Sequence, residues 1–169
     1  DVVAWTALVD GYVQHQFFNE ALNCFQEMKH EGISPNTVTY ICILKACAAL
    51  GLLHLGEEID AKVRQKGLLN KDTVLGNALV NMYVKCGVIT RAHEVLKELQ
   101  TRNVVSWNAL ISGYVHHGQF CEALNYFEEM QLQGISPNAI TFTCILKACG
   151  STGAIGKGKQ IHEEIVGQC

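Results

Sequence analysis

Proline is scarce, charge is sparse and no apolar run is long. With two prolines and no low-complexity stretch, 49% apolar and only 17% charged residues, the chain is folded and not disordered. The longest apolar stretches, such as Tyr40 to Leu44, fall far short of the ~20 residues that a spanning helix needs, so an integral membrane helix is excluded. A net charge of −3 with 13 basic side chains excludes a protein that grips nucleic acid mainly through phosphates. Any such binding would rest on stacking and base-edge contacts. The chain also lacks a Cys-x-x-Cys, the commonest metal spacing. Cys42 and Cys47, like Cys144 and Cys149, are five apart, which on a helix turns the two sulfurs roughly 140° from each other. Six of the eight cysteines (Cys24, Cys42, Cys47, Cys121, Cys144, Cys149) sit at apolar-periodic positions and are expected to be reduced, buried thiols. After Asp1 there is no basic, Ser-rich or apolar leader, so nothing here bears on targeting.

What the chain does have is itself, twice. Laying Val2 to Ile59 on Val104 to Ile161, an offset of 102, pairs Trp5 with Trp107 and Gly11-Tyr12-Val13 with Gly113-Tyr114-Val115. It also pairs Gly32-Ile33-Ser34-Pro35-Asn36 with Gly134-Ile135-Ser136-Pro137-Asn138, and more than half of all aligned positions are identical. Within each block a helical pattern restarts at Val2, Thr37, Thr73, Val104 and Ala139, giving units of 35, 36, 31 and 35 residues and a last one reaching Cys169. A fixed period means that each unit buries its apolar face against a neighbour, so the expectation is an array without a single central core.

One unit read physically gives two helices. Trp5, Leu8, Val9 and Tyr12 recur at i, i+3, i+4 and i+7, predicting a first helix from about Ala4 to Gln14. Phe18, Ala21, Leu22, Phe25 and Met28 form a second stripe, with Asn19 expected to cap it, Gly32 to end it and Pro35 to prevent continuation. Ala78, Leu79, Met82 and Tyr83, then Ala92, Val95, Leu96 and Leu99, mark the pair in the 31-residue unit, whose shortening is expected after its second helix. No segment reads as a strand.

Three motifs carry a resemblance: Val104-Val-Ser-Trp-Asn-Ala-Leu-Ile-Ser-Gly-Tyr114, Glu122-Ala-Leu-Asn-Tyr-Phe-Glu-Glu-Met130 and Gly134-Ile-Ser-Pro-Asn138. Together they resemble the pentatricopeptide repeat and match it better than the tetratricopeptide repeat, whose pattern wants glycine where Val9 stands. The unit lengths resemble the plant subfamily that alternates standard, long and short repeats. On that resemblance, 2–36 and 104–138 are standard units, 37–72 and the truncated 139–169 long ones, and 73–103 a short one. Asp1 would be the last residue of a preceding short unit in a longer array. The implied fold is all-α, a right-handed α-solenoid of stacked helical hairpins.

The resemblance further implies single-stranded RNA as partner, read one base per repeat. The fifth and last residues of each repeat would meet one base edge: Thr6 with Asn36, Ile41 with Asp72, Asn77 with Asn103, Asn108 with Asn138, and Thr143 without a partner. The second residues, Val3, Val38, Val74, Val105 and Ile140, would pack against base faces. An Asn amide offers donor and acceptor to a pyrimidine edge, Thr goes with purines in the family's pattern, and Ile41 cannot hydrogen-bond, so the expected target is 5′-A-x-Y-Y-3′. The bland alternative is that these are solvated polar residues on helix flanks, with Asn36, Asn103 and Asn138 merely following helix ends. Lys45, Lys85 and Lys147 are candidates for phosphate contact or plain solvated lysines.

The resemblance implies an organellar setting, mitochondrion or chloroplast, and a recognition role in RNA editing or processing. No enzyme activity, cofactor or metal is expected: the deaminase signature needs His-x-Glu together with Pro-Cys-x-x-Cys, and the second is missing. Gly153-Ala-Ile-Gly-Lys-Gly158-Lys159 imitates a phosphate loop but ends in Gln160 where Ser or Thr should hold magnesium, and a helix is expected before it. His162-Glu163 lacks the second histidine of a zinc-protease helix. A competing reading is a protein scaffold in which Tyr40 to Leu44 and Phe142 to Leu146 dock an accessory protein. Self-association through open array ends is a further expectation.

Overall fold

Each first arm opens on a residue that caps it, and a glycine in left-handed conformation turns four of the five hairpins (Gly51, Gly87, Gly118 and Gly153), with Gln16 in that place in the first. A computed structural model describes residues 1–167, and among them there are ten α-helices and no strand. Two compact units divide the chain, Asp1–Thr101 and Arg102–Cys169. In the first unit lie α1 (Val2–Gln14), α2 (Phe18–His30), α3 (Thr37–Leu50), α4 (Leu53–Gln65), α5 (Thr73–Lys85) and α6 (Ile89–Glu98). The second contains α7 (Val104–His116), α8 (Phe120–Leu132), α9 (Ala139–Thr152) and α10 (Ile155–Gly167). Odd-numbered helices begin where the helical pattern restarts in the sequence, and each is the first arm of a hairpin.

Within the first unit α1 packs on α2 and α3, α3 also on α2, α4 and α5, and α5 on α4 and α6. The first arms α1, α3 and α5 therefore stack side by side. In the second unit α7 packs on α8 and α9, α8 on α9, and α9 on α10. The buried layer of the first unit holds Phe25, Met28, Ile43, Leu44, Leu79 and Tyr83; in the second it holds Trp107, Leu110, Phe127, Met130 and Ile145. Burying such side chains stabilises by about 1.5–3 kcal/mol each. No helix of the described residues is long and apolar enough to cross a membrane.

Several sequence expectations need correction. Asn19 does not cap α2: the helix starts one residue earlier, its N-cap is Phe17, and no side chain bonds there. The short unit loses most of its length from its second helix, since α6 has 10 residues where α2, α4 and α8 have 13. Leu99 leaves the helix in extended conformation, and its side chain occupies the space beside Gly76 that a Cβ there would need. Cys121 is exposed and Cys144 half-buried, whereas Cys24, Cys42, Cys47 and Cys149 are buried. The buried face of α8 is set by Ala123, Phe127 and Met130, two residues out of phase with Cys121. All five residues from Tyr40 to Leu44 are buried, because α3 is packed on four neighbours, so they offer a partner nothing to dock on.

The phosphate-loop imitation is a hairpin turn. Gly153 caps α9 in left-handed conformation (φ 70°), and Gly158 and Lys159 lie inside α10. The preceding element is a helix, and the strand that a phosphate loop requires is not there.

A candidate nucleic-acid interface at the heads of the first helices

The first arms differ from the second arms in how they start. Asp1, Asn36, Asp72, Asn103 and Asn138 cap α1, α3, α5, α7 and α9, each with a side-chain oxygen accepting one backbone N–H (Asn36) or two (the others). No side-chain cap serves α2, α4, α6 or α8. Asn36, Asn103 and Asn138 thus do more than follow helix ends: they fix the next helix. A cap of this kind contributes about 1 kcal/mol and needs only an oxygen. It explains the oxygen of these side chains but not the amide nitrogen of the asparagines.

One residue past each helix start stands an apolar side chain that the core does not use. Val3, Val38, Val74, Val105 and Ile140 are 51–69% exposed, and each is the second residue of its first arm. Single exposed apolar residues are ordinary, but one at the same register in every hairpin makes a periodic row within each unit. Three residues on, and so on the same helix flank, lie Thr6, Ile41, Asn77, Asn108 and Thr143. Thr6, Ile41 and Asn108 are buried, Asn77 half-buried and Thr143 exposed. A shallow pocket lined by Ala139, Ile140, Thr143 and Cys144 joins a second and a fifth residue in one concavity.

In the second unit the predicted partners Asn108 and Asn138 meet directly. Asn108 Nδ2 donates to Asn138 Oδ1 at 2.9 Å, and the Thr141 hydroxyl donates to Asn108 Oδ1 at 2.6 Å. Asn138 Oδ1 also accepts from the backbone N–H of Ile140 and Thr141, at 3.1 and 3.2 Å. In the first unit Thr6 and Asn36 are joined through a third residue. Thr6 and Thr39 hydroxyls are 2.8 Å apart, and the Thr39 hydroxyl lies 2.9 Å from Asn36 Oδ1. Thr6 also donates to the Val2 carbonyl at 2.7 Å. Ile41 has only apolar atoms to offer, and Asp72 bonds the backbone of Val74 and Leu75. Asn77 and Asn103 fall in different units, and Thr143 returns its hydroxyl to the Ala139 carbonyl at 2.7 Å. Lys45, Lys85 and Lys147 are exposed.

Residues 1–49 and 102–151 match the family model of the PPR repeat family, and residues 77–104 match the PPR repeat. The chain belongs to the pentatricopeptide repeat family. A chloroplastic pentatricopeptide repeat-containing protein of Arabidopsis thaliana is 39% identical over 163 residues, 95% of this chain and 22% of the relative. A mitochondrial pentatricopeptide repeat-containing protein of the same plant is 42% identical over 168 residues, 99% of this chain and 16% of the relative. The chain spans 16–33% of the length of such curated relatives. Among solved structures, the pentatricopeptide repeat protein PPR10 in complex with an 18-nt psaJ RNA element superposes with a TM-score of 0.77 at 21% identity, over 95% of this chain and 24% of that one. The PPR domain of Arabidopsis thaliana protein-only RNase P 1 in complex with tRNA superposes with a TM-score of 0.79 at 15% identity, over 96% and 88%. These likenesses place the hairpins in the fold of pentatricopeptide α-solenoids.

The sequence missed one polar cluster. Asp60 on α4 is 2% exposed and accepts from Arg64 Nε at 2.7 Å and from the Tyr83 hydroxyl at 2.8 Å. Arg91 approaches the same carboxylate at 3.7 Å, and Arg64 also pairs with Glu98. Burial, then the hydrogen bond to Asp60, raises the Tyr83 hydroxyl far above its usual range. The cluster ties α4, α5 and α6 together. Only the Asp60/Arg64 spacing of four hinted at it, and nothing local points to Tyr83.

Proposed function

We propose that this chain binds single-stranded RNA, one base per repeat, as the recognition part of an organellar RNA editing or processing factor. The carrying observation is the row of exposed second residues in each unit, Val3, Val38 and Val74 in the first and Val105 and Ile140 in the second, each beside a capped helix head. Such a row suits unstacked bases, whose faces are apolar and whose edges need polar partners. The net charge of −3 favours this mode over a grip on phosphates. Family relatives support the reading: PPR10 and the RNase P domain are seen with RNA, and three relatives are named chloroplastic or mitochondrial.

In this reading 2–36 and 104–138 are standard repeats, 37–72 and 139–169 long and 73–103 short, and the chain has no catalytic role of its own. Thr6 with Asn36 reads adenine, Ile41 with Asp72 reads nothing, and Asn77 with Asn103 and Asn108 with Asn138 read C or U. Thr143 faces a base without a second reader. Four bases at ~1–3 kcal/mol of stacking each, offset by the cost of association, put the affinity near micromolar. The test is fluorescence anisotropy with a labelled RNA containing 5′-ACCC-3′ at several salt concentrations. Binding that Asn77→Ala plus Asn108→Ala abolishes supports the reading; binding that this double variant leaves unchanged refutes it.

A further inference from the structure

The caps and the fifth residues are linked by a third position, the third residue of the following first arm, whose hydroxyl also completes a capping box in α3, α7 and α9 by accepting the N-cap backbone N–H. Its identities are Thr39 after Thr6, Leu75 after Ile41, Ser106 after Asn77 and Thr141 after Asn108. A hydroxyl stands wherever the fifth residue is polar, and leucine stands where it is isoleucine. All four are fully buried, so the three hydroxyls are placed against the apolar preference of their surroundings.

The second unit shows what the hydroxyl does. Two backbone N–H groups, of Ile140 and Thr141, point at one atom of the Asn138 amide, which must therefore be its oxygen. Asn108 then has to face that oxygen with its nitrogen, 2.9 Å away, and turn its own oxygen toward Thr141. The Thr141 hydroxyl donates to it at 2.6 Å and accepts from the Asn138 backbone N–H at 3.1 Å. The chain of bonds fixes both amides in one orientation. Its remaining capacity is one N–H and one lone pair on Asn108 and the amide N–H groups of exposed Asn138. In the first unit Thr39 holds the same place between Thr6 and Asn36, at 2.8 and 2.9 Å.

We propose that Thr39 and Thr141 are specificity-determining positioning residues, each setting which donors and acceptors the reading pair of its own unit turns toward an RNA base. The inference rests on the RNA-binding reading above. Without the hydroxyl, Asn108 keeps its bond to Asn138 but loses the restraint on its oxygen. The amide then leaves that orientation by giving up one hydrogen bond and not two, and distinguishes bases less well.

The experiment measures affinities of the whole chain for four RNAs differing only in the nucleotide opposite Asn108 and Asn138, for wild type, Thr141→Val and Thr141→Ser. Wild type is expected to prefer pyrimidine over purine there. Thr141→Val, isosteric and apolar, should lower that ratio at least fivefold, Thr141→Ser should restore it, and the ratio opposite Asn77 should stay as it was. An equal loss of affinity for all four RNAs, or an unchanged ratio, overturns the inference and leaves the reading intact. Wild type that binds none of the RNAs overturns the reading itself. Because Thr141→Val alters a buried site on which folding also depends, the gain-of-function pair Ile41→Asn and Leu75→Thr provides a second test. It should create base discrimination at the second position, whereas Ile41→Asn alone should create little; equal behaviour of the two overturns the inference.

Discussion

Replacing Asp60 with alanine removes the one carboxylate that α4, α5 and α6 share, and its cost can be worked out from the contacts. The residue is 2% exposed and accepts from Arg64 at 2.7 Å and Tyr83 at 2.8 Å. Truncation strands the Tyr83 hydroxyl in a fully buried residue, which costs about 1–3 kcal/mol. Breaking a buried ion pair by removing one partner costs about 3–5 kcal/mol when the other stays dry. Arg64 does not stay dry: its side chain is 31% exposed and it keeps Glu98, so solvent offsets much of that term. The expected loss is therefore about 3 kcal/mol, below the combined range of the two full terms. Tyr83→Phe removes one hydrogen bond to a charge and should cost about 1.5 kcal/mol, and the double variant should cost less than the sum by about 1 kcal/mol. Urea denaturation of the four proteins measures all of this. A loss below about 1 kcal/mol for Asp60→Ala, or strict additivity with Tyr83→Phe, would show that the cluster is solvated and contributes little.

Gln16 is the sole described residue other than glycine with positive φ (63°), where the block partner is Gly118, so Gln16→Gly should raise stability by about 0.5–1 kcal/mol in thermal unfolding. Burial pushes the Cys42 and Cys47 thiols up to about 12 from 9.0. The folded state thus holds these protons more tightly than the unfolded state: their contribution is complete below pH 9 and lost as pH rises toward 12. Stability measured by denaturation should fall over that window, and less steeply in Cys42→Ala. With a thiol reagent at about pH 8, exposed Cys121 should react at once and Cys42 and Cys47 only on unfolding; simultaneous reaction would contradict the packing of α3. Val74→Ser plus Val105→Ser should leave stability within about 0.5 kcal/mol, both side chains being exposed, yet weaken RNA binding about tenfold in anisotropy.

The helix starts were legible because Asn36, Asp72, Asn103 and Asn138 are both the last residues of units and the caps of the next helices, so period and capping chemistry point to the same place. Val3, Val38, Val74, Val105 and Ile140 were legible through register alone, and the structure adds their exposure. Cys121 was misplaced by treating its apolar neighbours as its own phase; its block partner Asn19, also exposed, already marked the position as outward. Asp60 with Tyr83, and Thr141 with Asn108, were not legible because the partners are 23 and 33 residues apart on different helices. Periodicity says which face of a helix is buried, and says nothing of which polar atoms meet there.

The most direct measurement of the central claim is a side-by-side titration of this chain with RNAs carrying 5′-ACCC-3′ and 5′-GGGG-3′ at one salt concentration. A row of platforms and reading pairs predicts that the first binds at least tenfold more tightly. Equal affinities would contradict it.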